Sequence, residues 1–449
     1  MSESLGIPRS FARWVVRRYY ADIEIVDGAR VPQSGAVLLC ANHANSLIDS
    51  LIIGITARRP VRFMAKAPLF DLPLLGSLMH ALGMVPAFRG IDDPKQVRRN
   101  LESLNVGAGV LIDGHTMGIF PEGRSTDEMH LVKVRSGAAR MALQAVEAGT
   151  TEVRIVPIGI AYQRKERFRS SVLVRVGEPI VAADFLAAEH GNVPRARRAV
   201  TAELDARLKD VVIHLDNPDW EPWLDDLDIL VPAPAQARAS ATSALWQRKR
   251  IADAINYFWE HDRPQAEALA TDISTYRNAV DAAGLRLDSD VLRLSGLGVL
   301  VRLLGRFLWL AVLLVPALLG TVHHIVPFVV VRKLDTIMGE PGQMAVATHK
   351  MMFGVPIYTL WHVGVIAALW LLVDPRIAIA WLFLAPFAGA LALSYWREAR
   401  RVLRLLFHET RVVLGGDELE QLRRQRAALR ERLTEMSGEF ESISPNDVA

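Results

Sequence analysis

Gly35-Ala36-Val37-Leu38-Leu39-Cys40-Ala41-Asn42-His43-Ala44-Asn45-Ser46-Leu47-Ile48-Asp49 is the stretch on which the fold turns. Its first seven residues are apolar and read as a buried strand. A buried strand that runs into a polar, histidine-bearing turn belongs to an α/β fold, where ligands bind beyond the strand ends. His43 then stands at a sheet edge. A carboxylate a few residues on, Asp49, can hold the imidazole in one tautomer and leave its other nitrogen free to take a proton. The same residues also have a purely structural reading. Ser46-Leu47-Ile48-Asp49 precedes the apolar Leu51-Ile52-Ile53 and fits a helix capping box, with Asp49 as the cap partner and His43 a surface histidine. Six residues along an ideal helix rotate by roughly 240°. The two side chains therefore meet only if His43 lies in the turn and Asp49 in the first helical turn, which a cap at Ser46 allows.

Three further segments have the same design. Leu82-Gly83-Met84-Val85-Pro86-Ala87-Phe88-Arg89-Gly90 is a short apolar strand ending in an arginine. Met117-Gly118-Ile119-Phe120-Pro121-Glu122-Gly123-Arg124-Ser125 is a strand that runs into a Pro-Glu-Gly turn, and Ile155-Val156-Pro157-Ile158-Gly159-Ile160-Ala161-Tyr162 is a third strand. Each has its polar or turn residues at its end, as a site along one edge of a sheet requires.

These four blocks, in this order over roughly residues 20–180, resemble the glycerophospholipid acyltransferases. The usual first block of that family has four residues between His and Asp, whereas five stand between His43 and Asp49. The third block is one residue shorter than the usual Phe-Pro-Glu-Gly-Thr-Arg-Ser. Both departures are similar to the branch that includes the fungal glycerol 3-phosphate/dihydroxyacetone phosphate acyltransferases. The resemblance implies an α/β fold with a central mixed sheet flanked by helices. It implies His43 as general base oriented by Asp49, with Asn42, Arg89, Glu122, Gly123, Arg124, Ser125 and Pro157 around the substrates. Arg89 would hold the acceptor's phosphate, Glu122 and Gly123 would shape the acceptor site, and Pro157 would sit near the acyl donor. The implied donor is acyl-CoA or acyl carrier protein, and the implied acceptor is glycerol 3-phosphate or lysophosphatidate. That chemistry needs no metal or redox cofactor. Arg89, Arg124, Lys133 and Arg135 make a basic set suited to a phosphate dianion; Lys133 and Arg135 equally fit a solvated helix start. Backbone N–H groups near Gly123, or in the turn after His43, are candidate oxyanion donors.

Rival chemistries find little support. The single cysteine, Cys40, lies inside the first strand and reads as a small buried hydrophobe. One cysteine forms no internal disulfide and no paired-cysteine zinc site. His-Glu-x-x-His, Gly-x-Ser-x-Gly and Walker patterns are absent from the sequence. Gly107-Ala108-Gly109 reads as a helix end, and Asp225, Asp226 and Asp228 as a solvated acidic loop. With 52 Lys+Arg against 49 Asp+Glu, the net charge of +3 gives no ground for nucleic-acid binding. A non-catalytic lipid-binding or transport protein, and an acyl thioesterase that turns the same base on water, are the competing functions.

The C-terminal half points to a membrane. Phe307–Val331, Met351–Val373 and Ile377–Trp396 contain no Asp, Glu, Lys or Arg, and about 20 apolar residues cross a bilayer. Three crossings would place Arg397, Arg400, Arg401 and Arg404 opposite the catalytic domain, against the positive-inside tendency. The first run is interrupted by Pro316, Gly320, His323, His324 and Pro327, and is expected to be a re-entrant or shallow hairpin. Asp374-Pro375-Arg376 reads as a tight turn between antiparallel spans. Phe11, Trp14, Arg17, Arg18, Tyr19 and Tyr20 read equally as an interfacial helix or a docking helix of the domain. The expected organisation is a catalytic domain over 1–232, a helical connector over 233–295 after the Pro232-Ala233-Pro234-Ala235 linker, membrane helices over 296–396 and a charged helical tail over 397–449. Val193–Leu215 is expected to be helical, and Asp417–Glu435 to be a helix able to pair with a partner helix. The protein is expected to be an integral membrane protein with the catalytic domain on the cytoplasmic face.

Overall fold

The computed structural model describes residues 6–71, 75–81, 83–87, 97–125, 130–150, 152–232, 242–292, 296–338, 346–404, 406 and 416–443. Arg89, residues 233–235 of the expected linker and Gly415 lie outside them. Two compact units are present, one of Met1–Pro218, Ala235–Asp253 and Glu340–Thr348, the other of Asp219–Pro234, Ala254–Gly339 and His349–Ala449.

The first unit runs α1 (Gly6–Tyr19), β1 (Asp22–Val26), β2 (Val37–Ala41), α2 (Ser46–Ala57), β3 (Val61–Lys66), α3 (Leu75–Ala81), β4 (Val85–Ala87), α4 (Val97–Ile112), β5 (Thr116–Ile119), α5 (Gly137–Glu147), β6 (Arg154–Tyr162), β7 (Ser171–Val176), β8 (Ile180–Val181), α6 (Ala182–Ala188) and α7 (Val193–Val211). The eight strands form one mixed sheet in the order β1-β7-β6-β2-β5-β3-β4, with β8 also on β6. β2 is central and parallel to both β5 and β6. All five of its residues are buried, because helices cover both faces of the sheet. On one face Leu38 and Cys40 join Met117 and Ile155 beneath α4, α5 and α7, whose Leu111, Met141, Val200 and Leu204 complete the core.

Two local features follow from the sequence. Pro157 stands in a central strand, where its missing N–H would break a ladder. β6, however, pairs with β8 over Arg154–Ile155 and with β7 only from Ile158 onward. The Pro157 carbonyl takes Gly177 N–H at 2.9 Å, so the proline nitrogen faces the gap between β8 and β7, where no partner strand needs a donor. Gly107 lies within α4 rather than at a helix end. A Cβ there would come within 2.5 Å of Met141 Sδ, so the glycine is where α4 closes on α5. The β4 strand is shorter than expected, and α7 stops at Val211.

The second unit is helical: α8 (Glu221–Leu230), the end of α9 (Ser243–His261), α10 (Arg263–Ala282), α11 (Gly296–Met338), α12 (Val346–Leu372), α13 (Pro375–Arg404) and α14 (Gly416–Ile443). Asp225, Asp226 and Asp228 lie on α8, not in a loop, and Asp226 is buried against Arg277 at 3.0 Å. α11 corrects the expected hairpin. It is one continuous helix of 43 residues through Pro316 and Pro327, since each proline removes only a single hydrogen bond and a packed neighbour tolerates the loss. That neighbour is α13, whose Ala388 carbonyl would lie 2.1 Å from a Cβ on Gly320. α11, α12 and α13 each have the length and apolarity to cross a bilayer. Leu419, Leu422, Leu429 and Leu433 of α14 are buried. Their partners belong to this same chain: α14 lies on α8 and α10, and Arg426 donates to the Leu287 carbonyl at 2.8 Å.

Candidate active site

β2 and β5 are parallel neighbours, so the turns that leave them meet at one sheet edge. His43 follows β2, and Asp49 lies in the first turn of α2. His43 Nδ1 is 2.9 Å from Asp49 Oδ2. An ionised carboxylate only accepts hydrogen bonds, so facing it Nδ1 is the donor, and in the neutral imidazole the lone pair is then on Nε2. The capping box itself does not form, because the cap side chain makes no cap hydrogen bond, and His43 is buried rather than at the surface. The cap residue is Asn45, one earlier than expected, and its backbone N–H donates to the same Oδ2 at 2.7 Å. Between His43 and Asp49, Ser46 takes a left-handed φ of 44°.

The dyad is deeply set. Asp49 has no exposed surface and His43 is 8% exposed. The imidazole stacks on the Phe120 ring at 3.8 Å between centroids. Glu122, 2% exposed, accepts His43 N–H on Oε1 at 2.8 Å and Val132 N–H on Oε2 at 3.4 Å. Asn42 clamps the turn to β6: its Nδ2 donates to the Ile160 carbonyl at 3.0 Å and its Oδ1 accepts Ile160 N–H at 2.8 Å. Lys165 Nζ donates to the Ala44 carbonyl at 3.0 Å.

Beside it, the Pro-Glu-Gly turn closes with Gly123 N–H on the Phe120 carbonyl at 3.0 Å. Gly123 has φ 76°, a conformation that favours glycine. Arg135 N–H donates to the Pro121 carbonyl at 2.9 Å, and a Cβ on Gly123 would lie 3.2 Å from the Arg135 side chain. Arg124, Lys133 and Arg135 are exposed and Ser125 is half-buried. Pro157 lies within β6, three residues before Ile160. Cys40 is buried, and burial pushes its thiol well above the ordinary range, which suits a hydrophobe and not a nucleophile. No metal-holding group of three His, Cys, Asp or Glu occurs among the described residues.

Residues 22–161 match the Acyltransferase family model. The chain carries an acyltransferase domain. It is 28% identical over 228 residues to glycerol-3-phosphate O-acyltransferase 2 of Saccharomyces cerevisiae, covering 48% of this chain and 30% of the yeast protein. It is 37% identical over 100 residues to glycerol-3-phosphate O-acyltransferase 1 of the same yeast, covering 22% and 13%. It is 31% identical over 164 residues to the lyso-ornithine lipid O-acyltransferase of Brucella abortus, covering 35% and 56%. The chain thus spans less than a third of the two yeast relatives and just over half of the bacterial one.

Sequence reasoning passed over four residues of the acyltransferase domain's site. Tyr162 Oη donates to Asp49 Oδ1 at 2.6 Å. Asn45 Nδ2 donates to Tyr20 Oη at 2.7 Å, and Tyr20 Oη donates to the Lys165 carbonyl at 2.9 Å. Phe120 supplies the stacking surface. Burial, reinforced for Tyr162 by the Asp49 charge, pushes both phenols far above their ordinary value, so both are neutral donors. A polar Tyr162 closing an otherwise apolar strand was the available signal.

Proposed function

We propose that the chain is a membrane-anchored acyltransferase that moves a fatty acyl group from a coenzyme A or carrier-protein thioester to a hydroxyl of glycerol 3-phosphate or lysophosphatidate. The observation that carries this reading is the His43–Asp49 pair, whose tautomer leaves Nε2 as a base at the sheet edge, beside the exposed Arg124, Lys133 and Arg135. Nε2 removes the acceptor hydroxyl's proton as its oxygen attacks the thioester carbonyl. Collapse of the tetrahedral species breaks the C–S bond, and the imidazolium returns the proton to the leaving thiolate. A positioned base contributes about 10²–10⁴-fold to such a step. Transfer is direct in this reading: among the described residues no activated serine or cysteine accompanies the dyad.

Glu122 and Asn42 hold the catalytic turn in place, Gly123 lets the basic segment approach it, and Arg89, Arg124 and Ser125 are assigned to binding the acceptor's phosphate. Pro157 belongs to the acyl-donor side. The amides of His43, Asn45 and Gly123 are committed to Glu122, Asp49 and Phe120, so the oxyanion is served by other donors. Residues 1–232 form the catalytic part, on the cytoplasmic face, 233–295 the connector, 296–396 the membrane part and 397–449 the tail.

The test is acyl transfer from labelled acyl-CoA by purified full-length protein and by His43→Ala, with glycerol 3-phosphate, dihydroxyacetone phosphate, lysophosphatidate and lyso-ornithine lipid offered in parallel. Product with a glycerophosphate acceptor, lost in the variant, is expected. Product with the ornithine lipid alone would overturn the acceptor class. Hydrolysis indifferent to every acceptor would favour a thioesterase, and silence with acyl-carrier-protein donor as well would leave a non-catalytic lipid-binding protein.

A further inference from the structure

Resting on the acyl-transfer reading, we propose that Tyr162 is a positioning residue whose phenol locks the Asp49 carboxylate so that Oδ2 stays on His43. Asp49 is fully buried and receives three donors. Oδ2 takes His43 Nδ1–H and Asn45 N–H, while Oδ1 takes Tyr162 Oη at 2.6 Å. The last carboxylate torsion is broad and roughly two-fold, so two oxygens with different partners define one orientation where a single partner would not. Tyr162 is itself fixed. Its strand is held by the Tyr162–Val172 pairing of β6 with β7, and its ring lies 5.6 Å from Tyr20, whose hydroxyl is bonded to Asn45 and Lys165.

Tyr162→Phe keeps the ring and removes the donor. The expected result is a fall in kcat of about ten- to a hundredfold, the usual scale of misplacing a catalytic group, with KM for donor and acceptor unchanged. In ¹⁵N spectra of the full chain, wild-type His43 is the pure Nδ1–H tautomer and the variant a mixture. An unchanged kcat with an unchanged tautomer would overturn the proposal, as would a loss of kcat with the tautomer intact. If wild type transfers to no acceptor, the functional reading fails, while the spectra still decide what Tyr162 does to the dyad.

A separate observation carries a second inference. α11 and α13 run antiparallel: Arg306 pairs with Glu398 at 2.8 Å, Trp309 stacks on Tyr395, and Trp381 donates to His323 at 3.2 Å. Three successive crossings would make the first and third helices parallel. The second constraint is α14, which lies after α13 yet packs on α8 and α10, which precede α11. An even number of crossings must separate them. We infer that α11 and α13 cross the bilayer as a hairpin and that α12 begins and ends on the far face, docked on α11 through Trp361, which donates to the His323 carbonyl at 2.7 Å, and His362, 3.2 Å from His323 Nε2, with its remaining surface against lipid. Away from that contact Leu360, Val363 and Leu371 are exposed. Arg302 and Arg306 of α11 then share a face with Arg397, Arg400 and Arg401 of α13, as positive-inside ordering prefers.

The test places single cysteines at Arg286, Ile337, Arg376 and Ser442 of the full chain with Cys40→Ala, and applies a membrane-impermeant thiol reagent to sealed vesicles, with detergent-opened vesicles as control. Labelling of Arg286→Cys and Ser442→Cys from one side, and of Ile337→Cys and Arg376→Cys from the other, is expected. Arg376→Cys on the side of Arg286→Cys, with Ser442→Cys opposite, means three crossings and overturns the inference. Ile337→Cys on the side of Arg286→Cys means that α11 does not cross, which overturns it equally.

Discussion

The imidazole of His43 is placed by its own backbone as much as by Asp49. Its N–H is anchored on buried Glu122, so the acid of the Pro-Glu-Gly turn holds the imidazole in place without touching its ring. Glu122→Ala leaves the buried His43 donor without its acceptor, which costs about 1–3 kcal/mol, and frees the half-buried Val132 donor as well; a fall in Tm together with loss of turnover is expected, with Glu122→Gln intermediate in both. Ser46 tests the backbone between His43 and Asp49. At φ 44° a β-branched residue is strained by about 1–3 kcal/mol, so Ser46→Val lowers Tm and activity while Ser46→Gly preserves both, as thermal melts beside turnover will read. His43, Asp49 and Glu122 were legible in the sequence because each sits at the end of an apolar run with turn chemistry beside it. Tyr162 was not, because the contact that gives it meaning spans 113 residues and arises only when β6 and β2 pair.

Elements were easiest to read where local pattern and tertiary demand agree, and hardest where packing overrides a breaker. β2 and β6 are buried strands with apolar runs to match. Pro157 and Gly107 look like interruptions, but the first fills a gap in pairing and the second admits Met141. The prolines of α11 misled in the same way, because α13 supplies a context that no local window contains. The segment between β5 and α5 depends on another distant contact. Leu131 N–H donates to His214 Nδ1 at 3.0 Å, and His214 Nε2 faces Asp216 at 3.1 Å. Burial, helped by Lys209 and His130 against the opposing pull of Asp216, holds His214 below its ordinary value. Its neutral form is the folded one, and the unfolded chain takes the proton first. The stability it contributes is therefore complete above about pH 6.5 and is lost as the pH falls below that value. Wild type is expected to lose more Tm between pH 7.5 and 5.5 than His214→Gln, whose side chain can still accept Leu131 N–H. Equal slopes would remove His214 from that balance.

Across the whole molecule, charge-free runs announced the membrane helices through composition alone, whereas the destination of α14 was hidden. Its leucines specify an apolar stripe, and nothing in that stripe says whether the partner is another chain or an earlier stretch of this one. Removing residues 416–443 strips four buried leucines, each worth roughly 1.5–3 kcal/mol, from a unit whose total stability is on the order of 5–15 kcal/mol. Limited proteolysis is expected to cut α10 in the truncated protein at protease levels that leave the full chain whole. Leu422→Asp should show the same opening at a higher dose. The folding of α14 onto α8 and α10 also sets an order in time. Translation delivers α8 and α10 first and their cover last, with the lipid-soluble helices in between. The early helices therefore emerge with an uncovered apolar face and must wait through membrane insertion before the bundle can close. A ribosome stalled between residues 292 and 416 would display a sticky, unfinished domain, and chaperone demand during synthesis should peak within that interval.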